Sequence, residues 1–545
     1  MAILENDFAK ARQVLDQAVS FYPQDPAIRR MSGDIHLQQN SYDNALMEYM
    51  ECVGINPLDT KALCSIGKLL LLLGKENDAK GFFLAAHRTK PMEVFSAYSL
   101  IHTCMAVSDW SIFDTMPKLL QLGDKAPLDV KPFALLAVTD NPGLHKTRVS
   151  ARAKTIAKNV KENKKFNHTT VKGRKIRLGF FSSDFFNHAT MLLLGRFFEM
   201  VDRERFEVCL YDYGTQRENE IQQRVKETSD IYHNVLDLND GELAELARQD
   251  GIDVAIDMKG YTKDARLGVF VSRVAPVQVS YLGYPGTTGM SNMDYFVADE
   301  VTVPQAMRRH FSEKILYMPH CYQPNDNSRP LPEFSSDRAA HGLPEDKFVF
   351  CSMNNPNKVT PQEFNVWMKL LHEVPDSVLW LLAPTEFLQQ NLLHEAEARG
   401  IDAERLVFAG RVRMSEHMER MQHADLFLDA FNCNAHTTAS EAVWSGLPLV
   451  TKAGEQFAAR VAASILTAIE CEDLVTTTVE EYHDLALKLA TDPEALAEVK
   501  QRLKDNLHTT PLYDSEAYVR DFENLMEKAI LRYEEGLRPK HMSLN

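Results

Sequence analysis

No stretch of the chain is apolar for long enough to cross a bilayer. The leucine run Leu69–Leu73 is far shorter than the roughly 20 residues a spanning helix needs. No two cysteines have C-x-x-C spacing. The eight stand apart at positions 52, 64, 104, 209, 321, 351, 433 and 471, which argues against a cysteine zinc site and against a disulfide framework. The opening MAILENDFAKARQ lacks a basic segment followed by an apolar one, so no secretory leader and a reduced, cytoplasmic compartment are expected. Positive charge is in deficit: 60 Lys and Arg against 76 Asp and Glu give a net charge of −16. That balance argues against a nucleic-acid partner held by bulk electrostatics. The basic run Lys161 to Arg177 has little aromatic interleaving and reads as a solvated linker. Gly283, Gly286 and Gly289 follow G-x-x-G-x-x-G, which matches neither the dinucleotide nor the Walker pattern. No D-x-D pair closes a strand-like segment.

What the chain does have begins with a repeat. Pro23, Pro57 and Pro91 are separated by equal steps, 57 − 23 = 34 and 91 − 57 = 34. Ala11, Ala45 and Ala79 keep that step, as do Ala18, Cys52 and Ala86; Gly33 matches Gly67. This period, with small residues where helices touch, is the tetratricopeptide signature. A helical region over residues 1–160 is therefore expected, with 93–160 extending or capping the array. Such an array presents a concave surface to a protein or peptide, or serves as a structural or dimerising prop. Both readings stand at this point.

From Lys175 apolar strand-like runs alternate with helical patterns. Strands are expected at 176–181, 206–212 and 254–257, with helices at 191–200, 218–227 and 241–250. After a Pro-, Asn-, Asp- and Ser-rich connection at 322–345 the alternation resumes. It has strands at 348–353, 377–382, 406–409, 424–429 and 448–451 and a helical tail to about 535. Two successive doubly wound halves, at 174–330 and 345–545, are predicted to flank a cleft.

The segment NCNAHTTASEAVWSG, Asn432 to Gly446, follows one such strand and opens a helix. Thr437 and Thr438 then stand at the cap or first turn. Unpaired amides and the positive end of the helix dipole favour an anion there, although a plain helix cap gives the same sequence.

The segments SSDFFNHAT, MKGYTKDAR, APVQVSYLGYPGTTG, MDYFVAD, NNPNKVTP, SVLWLL, AHTTASEAVWSGLPLVT and ARVAAS resemble the O-linked N-acetylglucosamine transferase family, its SPINDLY-like branch and bacterial members included. The likeness covers about residues 175–530, and the repeat ahead of it fits the family's domain order. The resemblance implies an α/β GT-B glycosyltransferase of two Rossmann-like halves, preceded by an all-α tetratricopeptide solenoid. It implies transfer of N-acetylglucosamine from UDP-GlcNAc to Ser or Thr of acceptor proteins, with inversion and without a metal or other cofactor.

By the same resemblance His188 is the proposed catalytic base and Lys358 reaches the diphosphate. Asn355, Val412, His417 and Arg420 border the nucleotide; His436, Thr437 and Thr438 form the phosphate turn; Glu441 holds the ribose. Two positions depart from the animal pattern: Met414 replaces a lysine, and Asn355 stands where many members have Gln. GDP-fucose, used by the plant SPINDLY branch, therefore stays open as donor.

The chemistry is consistent with these residue types. A nucleoside diphosphate leaves with charge on its β-phosphate, which a lysine and oriented N–H donors can meet. A histidine titrates near neutrality and can take a hydroxyl proton, yet the leaving phosphate can do the same. The competing class is a scaffold with a degenerate catalytic half. Retention of His188, Lys358, His436, Thr437 and Thr438 together argues against it.

Overall fold

The computed structural model describes residues 8–122, 131–158, 160, 168–216, 219–333 and 335–544. Two compact units emerge: residues 1–130 with 386–392, and residues 131–385 with 393–545.

In the first unit the repeat becomes antiparallel helices. Phe8–Phe21, Pro26–Gln38, Tyr42–Ile55, Thr60–Leu72, Glu76–Thr89 and Val94–Ala106 follow one another. The period has a steric cause. A Cβ on Gly33 would lie 2.5 Å from the Tyr49 ring, and one on Gly67 would lie 2.6 Å from the Phe83 ring. Ring and glycine recur together 34 residues on, so each helix pair closes around the same ring-on-backbone contact. Ala45, Cys52, Ala79 and Ala86 are fully buried beside these contacts.

The second unit holds two all-parallel sheets. The first contains β1 (Ile176–Ser182), β2 (Phe206–Asp212), β3 (Ile231–Asn234), β4 (Val254–Asp257), β5 (Val277–Ser280), β6 (Tyr295–Ala298) and β7 (Lys314–Tyr317), in the order β3-β2-β1-β4-β5-β6-β7. The second contains β8 (Phe348–Ser352), β9 (Ser377–Leu382), β10 (Leu406–Ala409), β11 (Leu426–Leu428), β12 (Leu449–Lys452) and β13 (Val475–Thr476), in the order β10-β9-β8-β11-β12-β13. In each sheet the strand order reverses once, between β1 and β4 and between β8 and β11. Loops leaving the carboxyl ends diverge there and leave a crevice.

Several expectations need correction. Strands β3, β5, β6, β7 and β13, each of at most four residues, were not expected from the sequence. The helix expected at 191–200 is two pieces, Ala189–Leu194 and Phe197–Met200, on either side of Gly195. The helix expected from 218 spans Glu220–Glu227, and residue 218 lies outside the described residues. Residues 161–167 of the basic run also lie outside them. Its described arginines are paired, Arg174 with Asp253 at 2.7 Å and Arg177 with Glu207 at 2.6 Å.

Residues 131–158, expected to cap the repeat, pack in the larger unit. Asp140 accepts from the Glu455 and Gln456 amides, each at 2.7 Å, and Lys146 donates to the Arg309 carbonyl at 2.7 Å. The connection after β7 is no exposed linker at its start. Gln323, Asn325 and Asp326 are buried, and the Asn325 amide donates to the Leu512 carbonyl at 3.0 Å. The last helix, Ser515–Glu534, belongs by sequence order to the second half but packs on the first sheet. Its Val519, Phe522, Leu525, Met526, Ala529 and Ile530 join the core of β1, β2, β4 and β5. Apolar spacing on that helix shows that it needs a partner but not which sheet supplies it.

Among the described residues no helix is long and apolar enough to cross a membrane.

Candidate active site at the sheet switch points

The predicted site residues gather at the two strand-order reversals. In the first sheet, β1 ends in Ser182, Ser183 and Asp184, all buried, and β4 ends in the buried pair Asp257 and Lys259. Asp257 accepts from the Lys259 amide at 3.1 Å and the Gly260 amide at 2.9 Å, which turns the chain sharply. Burial pushes its carboxyl up to about 6. A Cβ on Gly283 would lie 2.1 Å from the Met258 carbonyl oxygen, so the glycine-rich loop can press against this turn only without a side chain.

Lys259 Nζ then reaches Asp184 Oδ2 at 2.5 Å. His188 Nδ1 stands 3.6 Å from the same oxygen and accepts from the Thr190 amide at 3.2 Å. The His188 ring therefore caps the Ala189–Leu194 helix. Because an amide can only donate, Nδ1 carries the lone pair in the neutral ring and Nε2 carries the proton.

In the second sheet, β8 leads through Asn354 to the turn Pro356–Lys358, and β11 leads through Asp429 to the Thr437–Trp444 helix. Asp429 ties the two loops. Its Oδ1 accepts from Asn354 Nδ2 at 3.0 Å and from the Ala430 and Ala435 amides at 2.8 and 2.7 Å; its Oδ2 accepts from Thr451 Oγ1 at 2.7 Å. Burial raises this carboxyl to about 6, opposed by those hydrogen bonds and by the Lys358 charge. Lys358 Nζ donates to the Asn434 carbonyl at 2.6 Å. Burial and the Lys358 charge lower His436 to about 3, so it is neutral at pH 7. Its Nε2 meets the Ala458 carbonyl at 3.2 Å. Neither the amides nor the hydroxyls of Thr437 and Thr438 have a hydrogen-bond acceptor among the described residues, and His436 gives the helix no side-chain cap. The buried oxygens Asn354 Oδ1 and Asn434 Oδ1 also lack partners.

A second group extends from the same helix. Arg420 donates to His417 Nδ1 at 2.9 Å and to the Gly410 carbonyl at 2.8 Å, and His417 Nε2 lies 3.7 Å from Glu441 Oε2. Burial and Arg420 depress His417 to about 4. Burial raises Glu441 to about 7, against the pull of Arg329. Glu441 Oε1 and both terminal nitrogens of Arg329 are buried without partners. Unpaired buried polar atoms are costly and rare in a folded chain, so this end of the crevice is built to receive polar groups.

The structure thus brings Lys358, His436, Thr437 and Thr438 to one reversal, with Arg420, His417 and Glu441 in line beside them. His188 stands at the other. Asn355 is exposed, its side chain accepting from the Asn357 amide at 3.3 Å and its carbonyl from the Lys358 amide at 2.9 Å, and Val412 is an exposed side chain. Asp184, Lys259 and Arg329 escaped the sequence reading. Lys259 stood in the MKGYTKDAR segment, but only the fold shows that its ammonium is buried against Asp184.

A family model described as glycosyl transferase family 41 matches residues 145–336 and 327–522, and a tetratricopeptide repeat model matches residues 31–57. The chain belongs to glycosyl transferase family 41. One relative is the probable UDP-N-acetylglucosamine–peptide N-acetylglucosaminyltransferase SEC of Arabidopsis thaliana, 35% identical over 377 residues, covering 68% of this chain and 39% of the relative. The UDP-N-acetylglucosamine–peptide N-acetylglucosaminyltransferase of Caenorhabditis elegans is 28% identical over 485 residues, covering 68% of this chain and 42% of the relative. The chain thus spans well under half the length of these relatives. A solved structure of a Thermobaculum terrenum O-GlcNAc transferase mutant superposes with a TM-score of 0.73 at 23% identity, over 97% of this chain and 96% of that one. The shared fold is the GT-B arrangement of two Rossmann-like halves behind a helical repeat.

Proposed function

We propose that this family 41 chain is an inverting protein O-glycosyltransferase that moves N-acetylglucosamine from UDP-GlcNAc to Ser or Thr of proteins in the cytoplasm. One observation carries the reading. At the β8/β11 reversal a lysine ammonium and the uncapped start of a helix meet. A diphosphate satisfies that arrangement: two Thr amides, the helix dipole and Lys358 together stabilise the charge that builds on the departing β-phosphate. Two hydroxyls of a ribose suit the unpaired Glu441 and Arg329. The charge balance needs no ion, and we propose that transfer runs without a metal.

The His188 ring enters as donor. With Nδ1 held by the Thr190 amide, Nε2–H is set to hold the acceptor oxygen, while the hydroxyl proton passes to a phosphate oxygen of the leaving group. The repeat helices serve as the recruiting surface for acceptor proteins.

A thermal-shift titration with UDP, GDP, UDP-GlcNAc and GDP-fucose, without metal and beside Lys358→Ala, tests the reading. Stabilisation by the uridine pair that Lys358→Ala removes is the expected result. Stabilisation by the guanosine pair instead moves the chain to fucosyl transfer. No shift with any of the four, and no donor hydrolysis, leaves a scaffold.

A further inference from the structure

Away from the crevice, on the outer end of the second sheet, His341, Glu419 and His423 bring one ligand atom each to within 4.8 Å of one another. His423 Nε2 lies 3.3 Å from Glu419 Oε1, and His341 Nε2 lies 3.8 Å from Glu419 Oε2. Tetrahedral coordination at Zn–N and Zn–O distances of about 2.0–2.2 Å puts neighbouring ligand atoms roughly 3.3–3.6 Å apart. These two separations, one to each carboxylate oxygen, lie near that edge, and all three ligand atoms fall within 4.8 Å of one another.

The Ser336 hydroxyl occupies the point on which the three converge. It stands 2.6 Å from Glu419 Oε1 and 2.9 Å from each of His341 Nε2 and His423 Nε2. A hydroxyl has one proton and two lone pairs. It donates to the carboxylate and accepts from both rings, so three side chains, two from one helix end and one from a turn, are aimed at one place. Glu419 and His423 are buried.

The frame around the cluster is fixed. Arg338 donates to the His423 carbonyl at 3.1 Å, the Lys347 carbonyl at 2.8 Å and Asp425 Oδ2 at 2.7 Å, pinning both sides. Glu419 and His423 are one turn apart, at the end of the Met414–Met421 helix, and His341 closes the turn Ala339–His341.

We propose that His341, Glu419 and His423 bind one zinc-class divalent ion, with Ser336 or a water as fourth ligand. Two imidazoles and one carboxylate suit zinc, whereas magnesium and calcium take oxygen ligands. On binding, each ring moves its proton from Nε2 to Nδ1 and presents the Nε2 lone pair, with no change in oxidation state. The ion would staple the connection at 336–341 to the helix that carries His417 and Arg420. Its role is structural: neither it nor its ligands touch Lys358, His436 or Thr437, so it stands apart from the metal-free transfer proposed above.

The full chain, without affinity tag and stripped with a chelator, is dialysed and titrated with Co2+ and then Zn2+. One Co2+ per chain should bind with the intense visible absorption of a tetrahedral site, Zn2+ should displace it, and Zn2+ should raise the melting temperature. His341→Ala, at a half-buried position, should weaken binding by more than the roughly 10–100-fold expected from losing only an outer-shell partner. Its metal-free melting temperature should stay at that of the parent, which separates ligand loss from misfolding. Glu419→Gln should act alike. Absence of saturable one-to-one uptake, or uptake that both variants leave intact, overturns the site.

Discussion

Lys259 Nζ lies 2.5 Å from Asp184 Oδ2, and His188 Nδ1 lies 3.6 Å from that same oxygen. A buried ammonium thus fixes the carboxylate against which the His188 ring rests. Lys259 and Asp184 are 75 residues apart in sequence, and β1 and β4, neighbours in the sheet, bring them together. Removing one member of a buried ion pair leaves an uncompensated charge, which costs about 3–5 kcal/mol. Lys259→Met is therefore expected to lower the melting temperature and to reduce kcat about 10–100-fold through a displaced His188, a misplacement of the kind that costs about 10²-fold. The donor KM should stay within a few-fold, because Lys358 and the Thr437–Trp444 helix are untouched. A KM rise matching the kcat loss would contradict the positioning role.

His188 itself separates two mechanisms. If its Nε2–H orients the acceptor, Asn at this position can cap the helix and still donate from its amide, as Asn is among the best N-cap residues. His188→Asn should then retain about ten times more activity than His188→Ala. If the ring is the literal base, both variants fall to the same floor, since an amide takes no proton. Initial rates with a fixed acceptor peptide decide it.

The repeat makes a prediction of its own. A Cβ on Gly67 would sit 2.6 Å from the buried Phe83 ring. Overpacking of this kind costs about 1–3 kcal/mol. Gly67→Ala should lower the unfolding midpoint of the repeat helices, followed by circular dichroism at a helix band. Gly54→Ala should not, because nothing lies within 4 Å of its added Cβ.

These examples show why some features were legible in the sequence and others were not. The Gly33–Tyr49 and Gly67–Phe83 contacts write themselves into the chain as a fixed period, so the repeat could be read directly. The strand-to-helix passage at Asn432–Gly446 was equally plain, because a buried apolar run and a helix start lie side by side. Lys259 against Asp184 could not be read: a lysine in a polar segment has the same letter whether solvated or buried, and only strand order decides. The last helix shows the same limit. It was expected only as a helical tail, and its partner is a sheet built from residues more than 200 positions earlier. The cluster at His341, Glu419 and His423 has no metal-ligand spacing in sequence, since its members come from a turn and a helix end.

Glu441 gives a pH dependence with a definite sign. Its carboxyl is raised to about 7 in the folded chain, from an ordinary value of 4.5, because it is buried and its Oε1 has no partner. Between those two values the folded state holds more protons than the unfolded one, so stability falls as pH rises. The stabilisation is fully present below about pH 4.5 and lost as pH passes through 7; a shift of this size is worth at most about 3 kcal/mol. Asp429 and Asp257, both raised to about 6, contribute in the same direction over a lower window. The difference between parent and Glu441→Gln isolates the one group. Urea unfolding at pH 5 and pH 8 should show the parent losing more stability than the glutamine variant, which carries no charge at either pH. Bound UDP should narrow that difference if the ribose hydroxyls donate to the carboxylate and so favour its ionised form. Equal losses in parent and variant would mean that Glu441 stays ionised in the folded chain, with Arg329 meeting its charge.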